Sequence, residues 1–106
     1  MITRTPTDRR LRAQAQPAAS AEDSVLIRAF LERIWAEQGL AQQTLDSYRR
    51  DLDGFARWLR PRAIPLLAVQ RLHLFDYLAE RSAGNYASRS NARLLSSLRS
   101  FYSQQL

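Results

Sequence analysis

The residues best suited to chemistry in this sequence are two arginines spaced one helical turn apart, Arg89 and Arg93, with Ser90 between them. A guanidinium group can donate two parallel hydrogen bonds to a phosphate or to a guanine edge. Serine is short enough to let a helix approach a phosphate backbone. No acidic residue follows Arg81, so this segment meets a polyanion without repulsion. Serines also occur on plain solvated helices, but such faces more often carry Glu or Lys. The pattern therefore favours contact with DNA.

Catalytic and metal-binding patterns are missing from the sequence. It holds a single histidine, His73, and neither cysteine nor lysine. A tyrosine nucleophile needs a nearby base and cationic groups around the phosphate, which one histidine without lysine cannot supply. We therefore expect no catalytic residue, no cofactor and no metal site in this chain. Core periodicity accounts for most of the four tyrosines, Tyr48, Tyr77, Tyr86 and Tyr102.

The positive charge is concentrated in the second half of the chain. Residues 1–53 carry eight arginines and eight acidic residues, whereas residues 54–106 carry eight arginines against Asp76 and Glu80 alone. The net charge of +6 thus falls in the second half, as expected for a protein with a polyanionic partner. A GC-rich genome would explain arginine in place of lysine, but not the scarcity of acids. No stretch approaches the roughly 18 apolar residues of a membrane span, and the lack of cysteine fits a cytoplasmic protein.

Apolar residues recur at three- and four-residue spacing, which predicts four helices. No segment alternates with a period of two, so the fold class is all-α, a compact four-helix bundle. The predicted helices are 22–38, 42–59, 69–81 and 89–105. Their predicted core positions are Ile27, Phe30, Leu31, Ile34 and Trp35; Leu45, Tyr48, Leu52, Phe55, Ala56 and Leu59; Leu72, Phe75 and Leu78; and Leu94, Leu95, Leu98, Phe101 and Tyr102.

Cap residues set the predicted ends of the helices. Ser20 with Asp23 forms a weak capping signal, Gly39 suits a helix end, and Ser88 is a good N-cap. A turn is predicted at residues 82–85. Residues 1–20 are interpreted as a disordered basic lead-in, although a transit peptide has a similar composition. Residues 21–106 form the single helical domain.

Two segments together resemble a known family. They are FLERIWAEQGLAQQTLDSYRRDLDGFARWL (residues 30–59) and RSNARLLSSLRSFY (residues 89–102). Their order and separation resemble the N-terminal, SAM-like core-binding domain of bacterial tyrosine recombinases, in the phage integrase family. Within that family the chain is most similar to the enzymes that resolve chromosome dimers. The resemblance covers residues 21–106.

The resemblance implies a domain that grips double-stranded DNA at a recombination site, with the second and fourth helices near the major groove. The arginine, lysine, histidine and tyrosine that cleave DNA would belong to a separate catalytic domain, expected to be absent here, so this chain alone would not be an enzyme. A related partner recombinase would hold the opposite half-site. The DNA-binding residues implied are Gln43, Thr44, Ser47, Arg50, Arg89, Ser90, Arg93 and Ser97.

Some features depart from the family pattern or leave alternatives open. Ala41 stands where the family usually has a capping serine, and His73 where it commonly has an acid. A recombinase would continue beyond Leu106, so we expect a fragment or a truncated product. The chain could instead be the same domain of a phage or integron integrase. It could also be a helical protein-interaction module, and the aromatic anchors of such a module would be Trp35, Trp58 or Phe101.

Overall fold

The computed structural model describes residues 18–84 and 88–105, which form a bundle of four α-helices. The helices are α1 (Ala21–Gln38), α2 (Gln42–Leu59), α3 (Arg71–Ala83) and α4 (Ser88–Gln105). Two short 3₁₀ helices, Arg60–Arg62 and Leu66–Ala68, connect α2 to α3. The two described ranges contain no strand. The predicted all-α fold class is confirmed.

The ends of α1 follow the residue types that predicted them. Ser20 has an extended backbone, and its hydroxyl accepts a hydrogen bond from the Asp23 amide at 3.1 Å. Gly39 ends the helix with φ of 60°, a left-handed conformation that costs glycine little. Ala41 precedes α2 with the backbone of an N-cap, but it makes no side-chain cap. The α2 helix therefore begins with its first amides uncapped.

The fold begins slightly before the boundary predicted at residue 20. Ala19 is buried. Nη1 of Arg60 donates hydrogen bonds to the carbonyls of Ala18 and Ala19, at 3.2 and 3.0 Å. The three residues before α1 are thus held against the end of α2. Residues 1–17, the rest of the predicted lead-in, lie outside the described residues.

The start of α4 differs slightly from the prediction. Ser88, predicted as the N-cap, belongs to α4 and is its first described residue. Ser82 and Ala83, predicted to turn, belong to α3, and Gly84 follows as a turn. Asn85, the last residue of that predicted turn, and Tyr86 lie outside the described residues.

The core lies where α1, α2 and α4 meet. Phe30 and Phe101 contact edge to face, with ring centroids 5.4 Å apart, an arrangement that adds about 0.5–1.5 kcal/mol to the burial of the rings. Leu52, in the middle of α2, is fully buried. The other predicted core residues that are buried are Ile27, Ile34, Leu45, Phe55, Ala56, Leu59, Leu94 and Leu98. The predicted apolar stripes of α1, α2 and α4 are therefore largely confirmed.

The prediction of a core position is wrong for one residue of α1 and one of α4. Trp35 is 61% exposed and Leu95 is 43% exposed. Each directly follows a fully buried residue, Ile34 or Leu94. One residue turns an α-helix by about 100°, which carries the side chain past the edge of the buried stripe.

The buried face of α3 is also different from the prediction. Leu72 and Phe75 are largely exposed, whereas Tyr77 is buried and Leu78 is half-buried. The Tyr77 ring centroid lies 4.9 Å from that of Phe55. Aromatic contact with α2 therefore selects which side of α3 turns inward.

The connector between α2 and α3 is anchored at one buried residue, Leu66. The Leu66 amide donates a hydrogen bond to Oδ1 of Asp23 on α1, at 3.1 Å. The Leu66 carbonyl accepts one from the Tyr102 hydroxyl on α4, at 2.7 Å. Both backbone polar groups of the buried Leu66 are thereby satisfied, as burial requires. The connector is tied to the first and last helices at the same point.

Candidate nucleic-acid interface

One buried carboxylate joins the two helices predicted to bind DNA. Asp51 of α2 is 5% exposed. Its Oδ2 and Oδ1 accept hydrogen bonds from Nε and Nη2 of Arg93 on α4, both at 3.0 Å. The Ser97 hydroxyl donates to the same Oδ2, also at 3.0 Å. This Asp51–Arg93–Ser97 network fixes α2 and α4 side by side.

The negative charge of Asp51 is balanced by the positive charge of Arg93. A buried carboxylate is costly unless it is paired and hydrogen-bonded, and Asp51 has three donors. The hydrogen bond to Asp51 raises the pKa of the Arg93 guanidinium above its ordinary value. Arg93 therefore stays fully charged at neutral pH, and its charge is bound to a specific partner.

The structure corrects the prediction for Ser97 and changes that for Arg93. Ser97 is fully buried and its hydroxyl is used by Asp51, so the prediction that it faces DNA is wrong. Arg93 keeps 44% of its side chain exposed. A free surface arginine contributes little to stability. Arg93 is not of that kind, because it donates two hydrogen bonds to a buried carboxylate.

The other six predicted residues lie on the same two helices as Asp51 and Arg93. By helical periodicity, Thr44 and Ser47 share a stripe of α2 with Asp51, and Ser90 shares one of α4 with Arg93. Those exposed to solvent are Gln43, Arg50 and Arg89; those partly exposed are Thr44, Ser47 and Ser90. The network therefore holds these two polar stripes at the edges of one seam.

The exposed side of α4 carries positive charge that no described carboxylate neutralises. Arg89 and Arg99 are exposed, and no acidic side chain within residues 18–84 and 88–105 lies at ion-pair distance from either. On α2 the charge is partly balanced, because Arg49 lies 2.9 Å from Asp46. Attraction for an anion is consequently strongest along α4.

The aromatic residues considered as partner anchors are largely used inside the fold. Phe101 is fully buried. Trp58 is half-buried, stacked on Phe55 with the Arg62 guanidinium 3.9 Å above its ring, and its indole nitrogen donates to Glu80. It widens the buried face of α2. Trp35 alone of the three is largely exposed.

The single histidine has a structural use. Nδ1 of His73 accepts a hydrogen bond from the Gln70 amide at 2.9 Å, which caps the start of α3. Within the described residues, no group of three or more His, Cys, Asp or Glu side chains is placed to hold a metal ion. None of the described helices has the length and apolar character needed to cross a membrane.

Asp51 is the residue of the site that was not among the predicted contacts or core positions. Its position carried a usable signal, because Asp51 lies three residues after Tyr48 and four before Phe55, both on the predicted apolar stripe. A carboxylate on such a stripe is buried with a partner or breaks the pattern.

Comparison with known proteins gives consistent matches. Residues 27–105 match the family described as phage integrase, N-terminal SAM-like domain. The tyrosine recombinase XerD of Xanthomonas campestris pv. campestris is 56% identical over 102 residues, which cover 96% of this chain and 32% of that protein. The XerD of Proteus mirabilis is 41% identical over 97 residues, covering 91% of this chain and 31% of that protein. This chain thus spans about a third of the length of these relatives. No solved structure gave a significant match.

Proposed function

Since this chain belongs to the phage integrase family of tyrosine recombinases, with the N-terminal SAM-like domain at residues 27–105, we propose that it binds double-stranded DNA through α2 and α4. The observation that carries the proposal is the seam between these helices. Exposed Arg50 directly precedes Asp51 on α2 and exposed Arg89 lies one turn before Arg93 on α4, and the buried Asp51–Arg93 contact holds the helices together. DNA-binding proteins commonly present such rigid polar helix faces to a groove.

The finer role that we propose is that of the XerD-like relatives. The domain would grip one half of a recombination site in chromosome dimer resolution or DNA integration, in the cytoplasm. A XerC-like recombinase would hold the other half-site. The proposed DNA-contacting residues are Gln43, Thr44, Ser47, Arg50, Arg89, Ser90 and Arg93. Residues 21–106 would supply DNA binding alone, and the catalytic residues would lie in the part of the recombinase that this chain does not match.

The charge distribution supports DNA rather than a protein as the partner. The described part of α4 contains three arginines and no carboxylate. Phosphate contacts give an affinity that falls steeply with salt, by a slope of about −0.9 in log K against log salt for each phosphate neutralised. A hydrophobic protein interface lacks this dependence.

The proposal is tested by titrating a fluorescent DNA duplex with the 106-residue chain at several salt concentrations. We expect binding at low salt and a slope more negative than about −2, equivalent to at least two phosphate contacts. The same protein, incubated with supercoiled DNA carrying recombination sites, should neither nick it nor form a covalent adduct. Absence of binding at low salt would overturn the proposed DNA binding. A covalent adduct on a tyrosine would overturn the assignment of the chemistry to another domain.

A further inference from the structure

Asp51 is an unusual residue to find buried next to a surface proposed to bind DNA. A carboxylate repels the phosphate backbone, and its burial costs solvation free energy. A buried ion pair is also weak evidence for stability, because apolar residues of similar size often serve a core better. The carboxylate of Asp51 is nonetheless held by two fixed partners, Arg93 and Ser97. Its geometry suggests a purpose beyond folding.

The geometry leaves one edge of the Arg93 guanidinium available. Asp51 takes the side edge, through Nε and Nη2. A guanidinium has five N–H groups, so Nη1 keeps both of its own and Nη2 keeps one. These make no hydrogen bond to any residue in the described parts of the chain, and the side chain is 44% exposed. The end edge can therefore still donate two parallel hydrogen bonds.

We propose that Asp51 is a positioning residue that holds the Arg93 guanidinium so that its free Nη1–Nη2 edge receives a backbone phosphate of DNA. Two parallel hydrogen bonds suit the two oxygens of a phosphate. An arginine fixed in advance loses less conformational entropy on binding than a free one. Ser97 contributes by holding the Asp51 carboxylate in the plane that Arg93 requires. This inference rests on the DNA binding proposed above.

For the removal of the Asp51 carboxylate, a positioning role and net charge predict opposite changes in DNA affinity. Removal of an acidic group near DNA should strengthen binding, because it lowers the repulsion of phosphates. If Asp51 positions Arg93, its replacement should weaken binding despite the gain in net charge. The matched control is Asp53, two residues along the same helix, whose Oδ2 lies 2.8 Å from Nε of Arg57 in a partly exposed pair.

The experiment compares Asp51→Asn with Asp53→Asn in the 106-residue chain, each titrated into a random-sequence duplex at temperatures where circular dichroism shows the variants folded. We expect Asp51→Asn to weaken binding about tenfold and to reduce the magnitude of the salt slope by about 1, the loss of one phosphate contact. Asp53→Asn should bind as well as the parent or more tightly. In an Arg93→Ala background, Asp51→Asn should cause no further loss.

Ser97→Ala provides a second variant in case Asp51→Asn does not fold, and it should weaken binding in the same direction by a smaller factor. The positioning role is wrong if Asp51→Asn strengthens binding as Asp53→Asn does. It is also wrong if Asp51→Asn weakens binding as much in the Arg93→Ala background as in the parent. Either result leaves the proposed DNA binding intact. An unchanged salt slope in Asp51→Asn would overturn the assignment to phosphate. If the parent chain does not bind the duplex at all, the proposed function itself fails.

Discussion

The Asp51 carboxylate and the Arg93 guanidinium face each other through two hydrogen bonds of 3.0 Å, between residues 42 positions apart in the chain. One of these residues is almost wholly buried and the other is half exposed. The pair therefore belongs both to the fold and to the surface. It ties α4 to α2 while an arginine remains accessible beside the seam.

Arg93→Ala should lower the free energy of unfolding by about 1–3 kcal/mol, because it leaves a buried carboxylate with the Ser97 hydroxyl as its remaining side-chain donor. The loss is below that of a wholly buried pair because solvent reaches Arg93. Urea denaturation followed by circular dichroism measures it. Arg57→Ala, which breaks the more exposed pair with Asp53 on one helix, should cost about 0.5 kcal/mol or less. Equal losses in the two variants would mean that Asp51 does not depend on Arg93.

The sequence predicts the ends of α1 and α2 well because local chemistry sets them. The serine N-cap and the left-handed glycine of α1 act within a few residues, and Pro61 stands just beyond the end of α2. The bounds of α2, 42–59, are those predicted. Local signals of this kind do not depend on what the rest of the chain does.

Buried polar residues are harder to predict, because residue type and helical position disagree there. Asp23, Asp51 and Ser97 each lie on the apolar stripe of their helix: Ser97, for instance, follows Leu94 by three residues and precedes Phe101 by four. Ser97 was nevertheless predicted to contact DNA, as the family resemblance implied. Which polar residue finds a partner on another helix depends on tertiary packing, which a single helix does not reveal.

The inward face of α3 shows the same limit for apolar residues. Leu72, Phe75 and Leu78 are spaced as a stripe, yet Tyr77 is the buried residue. With apolar residues on several sides of a short helix, periodicity allows more than one buried face. Contact of Tyr77 with Phe55 and Trp58 selects the face observed.

The core of α4 can be tested with two leucines of different exposure. Leu98→Ala should lower the free energy of unfolding by about 2–5 kcal/mol through lost burial and the cavity that it leaves, since Leu98 is 3% exposed. Leu95→Ala, on the same helix at 43% exposure, should cost less than half as much. Denaturant midpoints give both values. Similar losses would place Leu95 in the core, as its spacing had suggested.

The start of α2 offers a stabilising substitution. Ala41 already has the extended backbone of an N-cap, with φ of −63° and ψ of 149°, but makes no side-chain cap. Ala41→Ser should allow the hydroxyl to accept a hydrogen bond from a first-turn amide and raise stability by about 0.5–1 kcal/mol. Thermal melting detects the change. Ser20→Ala, which removes the observed cap of α1, should lower stability by a similar amount. If Ala41→Ser lowers the melting temperature, the start of α2 lacks the geometry described.

Stability at high pH should depend on Tyr102. Burial, and secondarily the Asp23 carboxylate, raise the pKa of the Tyr102 hydroxyl. The folded protein therefore keeps this proton at pH values where the unfolded chain, with a tyrosine pKa of about 10, releases it. The resulting stability is fully present below about pH 10 and is lost as the pH rises above it.

Tyr102→Phe should cost about 1 kcal/mol at neutral pH, through the lost hydrogen bond to the Leu66 carbonyl. It should also remove part of the decline above pH 10. The measurement is the free energy of unfolding of parent and variant between pH 8 and 11. Parallel curves for the two proteins would show that Tyr102 releases its proton equally in the folded and unfolded states.

DNA binding by α4 is tested most directly with two exposed arginines on different helices. Arg89 of α4 and Arg28 of α1 are both exposed, and neither forms an ion pair with a described acidic residue. Loss of either should leave the melting temperature nearly unchanged, because exposed charges contribute little to folding.

Arg89→Ala should nevertheless weaken binding to duplex DNA and reduce the magnitude of the salt slope by about 1. Arg28→Ala, which removes the same charge from a helix outside the seam, should leave the slope unchanged. Anisotropy titrations at low salt give the ratio of the two affinities. If both variants lose binding equally, attraction arises from net charge alone, and α4 has no special place in the interface.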